Sequence, residues 1–369
     1  ARTLTLNLAA QTGLLARRGP GTPPPRLFRF SALFRQPYLF SRRMELLLSP
    51  FLEYQRDPLL EDSNEPLQIN TREFGLNTTL FYEIYPFRTV TLQHAFSRAL
   101  QLTQQRRDTT STRDLFDKSI LSLTATFGRT NNYFNPRRGY LVRPFAELGG
   151  GLIGSEIEYY RLGAELTGYL PLTRRSVLAG RLLFGRLEPL GRSREALAGR
   201  LGRTDSLRYE NRFDPILFYA GGSSDVRGWG LQQLGPKVTR LQISDGDTTI
   251  YYEPIGGNRK LLLNLELRFG LPGLGSDWQG AAFLDGGQLG QDRLVLRTTA
   301  FRWATGLGVR YQTPAGFIRL DLAYKLNPSY EDLRDPADVY RYRQGLTDRP
   351  PEVHWQRRLR LHLSIGQTF

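Results

Sequence analysis

Apolar and polar residues alternate with period two through most of this chain, as they do in strands whose two faces meet different surroundings. Over 259–269, Leu261, Leu263, Leu265, Leu267 and Phe269 share one face, and Leu262, Asn264, Glu266 and Arg268 share the other. Over 316–326, Ile318, Leu320, Leu322, Tyr324 and Leu326 oppose Phe317, Arg319, Asp321 and Lys325. Over 301–312, Trp303, Thr305, Leu307, Val309 and Tyr311 oppose Arg302, Gly306, Gly308, Arg310 and Gln312. The last segment sets Leu359, Leu361, Leu363, Ile365 and Phe369 against Arg358, Arg360, His362, Ser364 and Thr368. Each run is about ten residues, enough to cross a bilayer at a tilt. The pattern predicts about fourteen strands: 2–11, 26–36, 43–55, 72–84, 88–103, 119–130, 139–149, 156–170, 175–187, 259–269, 278–288, 301–312, 316–326 and 357–369.

A soluble antiparallel sheet also alternates, so the connections have to separate the two cases. Counted back from the C-terminus, short turns (313–316, 171–174, 135–139, 86–88) alternate with long polar links (12–25, 56–70, 106–118, 188–257, 290–300, 327–356). One rim of tight turns and one of long loops is the outer-membrane barrel pattern. Tyr38, Tyr85, Trp278, Trp303, Tyr311 and Phe369 near strand ends suit interfacial girdles. The expected fold is all-β, a transmembrane antiparallel β-barrel occupying 1–369, with a long loop over 188–257.

Composition narrows the field further. The chain has 369 residues, no cysteine and a formal charge of +15. The arginines alternate with apolar residues instead of forming a basic arm, which argues against nucleic acid. The first residues, Ala1-Arg2-Thr3-Leu4-Thr5-Leu6, read as a strand and not as a signal peptide. No apolar run reaches the roughly 18 residues of a transmembrane helix. The arginine excess, including Arg137, Arg138, Arg174, Arg175, Arg357 and Arg358, reads as solvated rim and lumen charge, with lipid phosphates as the alternative.

The most distinctive chemistry lies in the long loop, at Phe218-Tyr-Ala-Gly-Gly-Ser-Ser-Asp-Val-Arg-Gly-Trp-Gly230. Gly221, Gly222 and Gly228 allow sharp reversal or close approach. Arg227, between Val226 and the Gly228-Trp229 pair, needs a planar acceptor if it leaves water. Glu266 and Asp285 on later strands are suited to it; a solvated arginine in a glycine turn is the other reading.

These segments resemble the BamA/TamA superfamily of outer-membrane protein insertases, the bacterial surface-antigen family. Gly221 through Trp229, with Leu234-Gly235-Pro236 after it, is similar to the family's signature loop. Phe134-Asn-Pro-Arg-Arg-Gly-Tyr140 resembles a turn before a central strand, and 283–287 and 306–314 resemble late strands. Leu363-Ser-Ile-Gly-Gln-Thr-Phe369 resembles the C-terminal signal, and Gln36-Pro37-Tyr38-Leu39-Phe40 is a weaker likeness.

The resemblance implies insertion and folding of other barrel proteins in the outer membrane of a Gram-negative bacterium, without nucleotide hydrolysis. The alternatives are a TamA-like translocation module and, from another class, a passive diffusion porin. Expected partners are outer-membrane lipids, unfolded β-barrel substrates and accessory lipoproteins. The resemblance also implies a loop folded back into the barrel, docking Arg227 on Glu266 and Asp285 beside Phe283. In the family, first and last strands form a weak seam, so Leu361, Leu363, Ile365, Gly366 and Phe369 become candidates for both signal and seam. Two departures stand out: no POTRA-like unit precedes the strands, and the family barrel has sixteen. The expectation is a barrel domain without its first hairpin and POTRA modules.

No cofactor, metal or catalytic group is expected. His94 has Ser97 nearby, but residues three apart on a strand face opposite ways. No Gly-x-Ser-x-Gly elbow, nucleotide loop or metal-ligand spacing occurs. Asp245-Gly246-Asp247 lacks the remaining ligands of a calcium loop.

Overall fold

The structure is a computed structural model that describes residues 3–12, 26–60, 66–86, 88–105, 111–132, 134–197, 212–244, 247–275, 277–291, 294, 300–314 and 316–366. The first nine strands are β1 (Thr3–Thr12), β2 (Arg26–Pro37), β3 (Met44–Leu60), β4 (Pro66–Tyr85), β5 (Arg88–Gln105), β6 (Ser111–Thr130), β7 (Gly139–Gly149), β8 (Tyr159–Pro171) and β9 (Ser176–Pro189). After the long connection come β12 (Arg259–Gly270), β13 (Trp278–Gly290), β14 (Arg302–Thr313), β15 (Gly316–Lys325) and β16 (Leu359–Ile365). These fourteen form one antiparallel sheet in chain order, with β9 beside β12. Between them the connection forms its own hairpin, β10 (Lys237–Ser244) with β11 (Asp247–Pro254).

The period-two pattern has its physical cause in this wall. Leu265, Leu267, Leu307, Leu320, Leu322, Leu361 and Leu363 are exposed on one face. On the other, Asn264, Glu266, Arg268, Asp285, Arg310, Arg319 and Asp321 are buried. An apolar exterior around a polar interior is what a barrel in lipid requires. Among the described residues no helix is long and apolar enough to cross a membrane, which says nothing of the strands.

Several boundaries differ from the sequence reading. β3 to β6 run longer than expected, so the links read as 56–70 and 106–118 shrink to the segments around 61–65 and 106–110. Cross-strand pairing carries polar stretches such as 111–118 into the ladder, where alternation alone is weak. The last strand begins at Leu359 and not 357, because Trp355–Arg358 is a 3-10 turn. Asp247 begins β11, and Asp245 and Gly246 of the segment weighed as a calcium loop lie outside the described residues. Phe369 lies outside them too.

Candidate functional site: the docked loop

The motif loop is first closed on itself. Ala220 bridges Leu234, with the Leu234 N–H donating to the Ala220 carbonyl at 2.9 Å, and the Gly222 N–H donates to the Trp229 carbonyl at 3.1 Å. Gly221 and Gly222 sit at φ of +105° and +110°, where a side chain would be strained. Gly228 is glycine for another reason: a Cβ there would lie 2.9 Å from Ala304 Cβ and 3.0 Å from Lys325 Cγ. The loop backbone therefore rests directly on β14 and β15. Val226 packs onto Gly287 of β13, within a buried cluster that also holds Trp229, Leu234 and Leu262.

Strand register builds the seat for Arg227. Glu266 of β12 lies opposite Phe283 of β13, which lies opposite Gly306 of β14. The Phe283 ring lies across the space that a side chain at 306 would fill. Its free face carries the Arg227 guanidinium, 3.4 Å from the ring centroid. Arg227 Nε and Nη2 donate to Asp285 at 2.7 and 2.9 Å, and Nη1 donates to Glu266 Oε2 at 2.6 Å. The Arg227 backbone N–H adds a bond to Asp285 Oδ2 at 3.1 Å, and Asp321 of β15 stands 3.6 Å from Nη1. Arg227, Glu266, Asp285 and Asp321 are all 0% exposed. Burial alone would lower the Arg227 pKa, but the Asp285 and Glu266 carboxylates outweigh it and hold it above the ordinary arginine value.

Further hydrogen bonds tie the seat to its surroundings. Asn264 donates to the Asp225 carbonyl at 2.6 Å and to Asp285 Oδ1 at 2.9 Å. Glu266 also accepts from Arg268 at 2.7 Å and Arg310 at 2.6 Å. Asp225 is clamped by Lys260 at 2.8 Å. Trp229 donates its indole N–H to Asp332 Oδ2 at 2.9 Å, and Lys237 donates to Asp332 Oδ1 at 2.6 Å. Asp332 belongs to the β15–β16 link, so the motif loop holds the segment that leads into the last strand. Burial pushes the Asp332 carboxyl up, yet Lys237, the Ser329 N–H and Trp229 together keep it below the ordinary range. Gly230 packs on Arg360 of β16.

The structure thus brings Gly221, Gly222, Val226, Arg227, Gly228, Trp229, Glu266, Phe283 and Asp285 into one site. It does not bring Leu361, Leu363 or Ile365 there; they stand on the exterior of β16. Gly366 ends that strand at φ +96°, its N–H donating to the Phe317 carbonyl at 2.7 Å. Sequence reasoning placed Asp321 on the inward face without pairing it to Arg227. It passed over Asn264 as a ligand-orienting group, and it passed over Asp332 and Arg212, which no local pattern marks. Arg212 lies at the far end of the same connection, stacked 3.8 Å over Phe116 and paired with Asp114 and with Glu156 at 3.2 Å. His94 bonds Ser119 at 2.8 Å across two strands, whereas Ser97 turns the other way to bond Glu73 at 2.5 Å.

Comparison with known proteins agrees with this architecture. The Omp85 superfamily domain matches residues 16–369. The outer membrane protein assembly factor BamA of Neisseria meningitidis is 30% identical over 238 residues, covering 57% of this chain and 27% of that protein. The sorting and assembly machinery component 50 homolog of Xenopus tropicalis is 29% identical over 215 residues, covering 56% of this chain and 41% of that protein. The chain therefore spans well under half the length of these relatives. The crystal structure of Haemophilus ducreyi BamA lacking POTRA domains 1–3 superposes with a TM-score of 0.61 at 16% identity, covering 89% of this chain and 68% of that one. A match across nearly the whole chain, on a barrel of this topology, makes it a member of the Omp85 superfamily.

Proposed function

We propose that this barrel is the membrane domain of an outer-membrane protein assembly factor that inserts and folds β-barrel substrates. The reading is carried by one observation: the Arg227 loop is seated in the lumen and bonded both to the wall and to the lead into β16. The relatives named as assembly factors support it. The protein is an integral outer-membrane protein of a Gram-negative bacterium, with the long-loop rim outward and the short-turn rim toward the periplasm. Accessory lipoproteins complete the machine in this reading.

The physical task is set by the backbone. A strand entering hydrocarbon exposes unpaired N–H and C=O groups, each costing several kcal/mol. A strand edge can supply their partners by main-chain hydrogen bonding. In the sheet order β1 and β16 are the terminal strands, and β16 is short, pairing with β15 from Leu359 to Ile365. The docked loop bonds the link into β16 through Asp332 and packs against Arg360 of β16 itself. Its role in this proposal is to hold β15 and β16 in the geometry that presents the edge. No nucleotide or cofactor enters the scheme, because strand pairing itself lowers the barrier.

The test is reconstitution of the full-length protein in vesicles with an unfolded barrel substrate. Faster substrate folding than in empty vesicles, measured by heat-modifiable gel mobility, supports the proposal. Steady ion conductance with no acceleration would favour a diffusion porin instead. A lumen filled by Arg227, Trp229 and their partners argues against that outcome.

A further inference from the structure

Three of the short turns repeat one pattern: an apolar residue followed closely by two arginines. They are Phe40-Ser41-Arg42-Arg43, Phe134-Asn135-Pro136-Arg137-Arg138 and Leu172-Thr173-Arg174-Arg175. They join β2 to β3, β6 to β7 and β8 to β9. In an up-and-down antiparallel sheet, these three connections fall on the same rim. The apolar members are not packed away, since Phe40, Phe134 and Leu172 are 84%, 78% and 52% exposed.

The arginines divide into two kinds. Arg43 donates to the Ile84 carbonyl at 2.8 Å, and Arg137 donates to the Arg174 carbonyl at 2.6 Å. These staples run from one short turn to the next around the rim. Arg42, Arg138, Arg174 and Arg175 instead stand exposed, two to four residues along the chain from an exposed apolar side chain. The same spelling occurs on the opposite rim, at Trp355-Gln356-Arg357-Arg358, with a different outcome. There Arg357 bonds Asp335 at 3.0 Å, and Arg358 stacks on Trp355 at 4.9 Å and donates to the Lys325 carbonyl at 3.2 Å.

We propose that the short-turn rim is a collar for anionic phospholipid headgroups, with three sites centred on Arg42, Arg138 and the Arg174–Arg175 pair. At each, the apolar residue sits at the acyl boundary and the exposed arginine meets a lipid phosphate. The position argues for lipid over a protein partner. All three sites lie where the apolar exterior ends, so membrane phosphates are adjacent without any further docking. A guanidinium offers a phosphate two parallel donors. A basic residue near an anionic surface is worth about five-fold in lipid affinity, and screening by salt shortens its reach.

The test uses native mass spectrometry of the full-length protein in detergent, titrated with phosphatidylglycerol or phosphatidylcholine. The triple variant neutralises all three sites, with Arg42→Gln, Arg138→Gln and the pair Arg174→Gln and Arg175→Gln, and leaves the stapling Arg43 and Arg137 in place. The unaltered protein is expected to retain three phosphatidylglycerols about five-fold more tightly each than phosphatidylcholine. The triple variant should bind both lipids alike, lysine at the same positions should keep most of the preference, and added salt should weaken it. If the triple variant does not fold, each single-site variant should lose one tight lipid. The collar is refuted if the triple variant keeps its phosphatidylglycerol preference. It is equally refuted if neutralising Arg341, Arg343 and Arg349 on the long-loop rim removes that preference as well. Unchanged lipid binding with lost crosslinking to an acidic periplasmic protein would assign the rim to a protein partner and overturn the proposal.

Discussion

One connection places two arginines in the barrel by the same chemistry, and they end in different physical situations. Arg212 and Arg227 each lay a guanidinium on a phenylalanine ring and face at least two carboxylates. The Arg212 acids, Asp114 and Glu156, have side chains 22% and 49% exposed, while those of Glu266 and Asp285 are fully buried. Arg212 itself is buried, its side chain 5% exposed, but its acids reach water, so losing the arginine leaves them hydrated. A buried pair is different: removing one partner leaves a charge that nothing hydrates. The Arg212 contact is therefore a mooring near the mouth, and the Arg227 contact is the one on which the loop's position depends. The lesson is that recognising an arginine–carboxylate–aromatic constellation says little about its strength until the depth of the acids is known.

The largest effect should come from Arg227→Ala. Asp285 would keep the Asn264 amide but lose both guanidinium bonds and their charge. A loss of about 3–5 kcal/mol in loop docking is expected. The connection should become protease-sensitive while the wall keeps its heat-modifiable mobility. Cleavage at the unaltered rate would erase the contrast with Arg212. Arg227→Lys should rescue in part, because a point charge cannot bridge two carboxylates as the planar fork does. Replacing Asp285 by Asn in the Arg227→Ala background should recover part of the loss, which a double-mutant cycle measures, whereas Glu266 must stay because it also holds Arg268 and Arg310. Strict additivity would mean the groups do not act together.

Arg212→Ala should cost about 1 kcal/mol, the worth of a cation–π contact and of an ion pair whose acids stay hydrated without it. Hydrogen exchange should rise around 212–218 and leave 225–230 protected. Opening of both regions together would show that the connection is a single cooperative unit.

The smallest effect concerns pH. Asp332 has a folded pKa depressed below its usual 3.8, so it contributes stability above that value and loses it as pH falls below. Trp229 fluorescence should therefore change at acid pH in the unaltered protein and earlier in the titration not at all. Asp332→Asn should remove that acid step and loosen the loop at neutral pH. A step that survives in Asp332→Asn would have to come from another carboxylate.

Much of the wall was legible in the sequence because lipid outside and water inside enforce a strict two-residue period. Leu265 and Glu266 could be assigned to opposite faces with no structure at all. The ends of β3 to β6 were not legible, since residues such as those at 111–118 join the ladder through cross-strand pairing and not through an apolar face. The hairpin of β10 and β11 was missed for the same reason: it lies on polar loops with no lipid to sort its sides. At the site, Arg227, Phe283, Glu266 and Asp285 stood out by residue type and by resemblance. Asp332 did not, because its partners Trp229 and Lys237 are about a hundred residues away and only folding brings them near. Gly306 likewise read as part of an alternating face; its use as a floor for the Phe283 ring is visible only once the register is known.

The central claim is that assembly activity depends on the Arg227 seat itself and not merely on having the connection somewhere in the lumen. The direct measurement is the folding rate of one unfolded barrel substrate on vesicles carrying the unaltered protein, Arg227→Ala or Arg212→Ala, with loop proteolysis read on the same samples. The account predicts a loop that is cleaved and a rate that falls markedly for Arg227→Ala, with Arg212→Ala close to the unaltered protein in both. A cleaved loop with an undiminished rate in Arg227→Ala would contradict it.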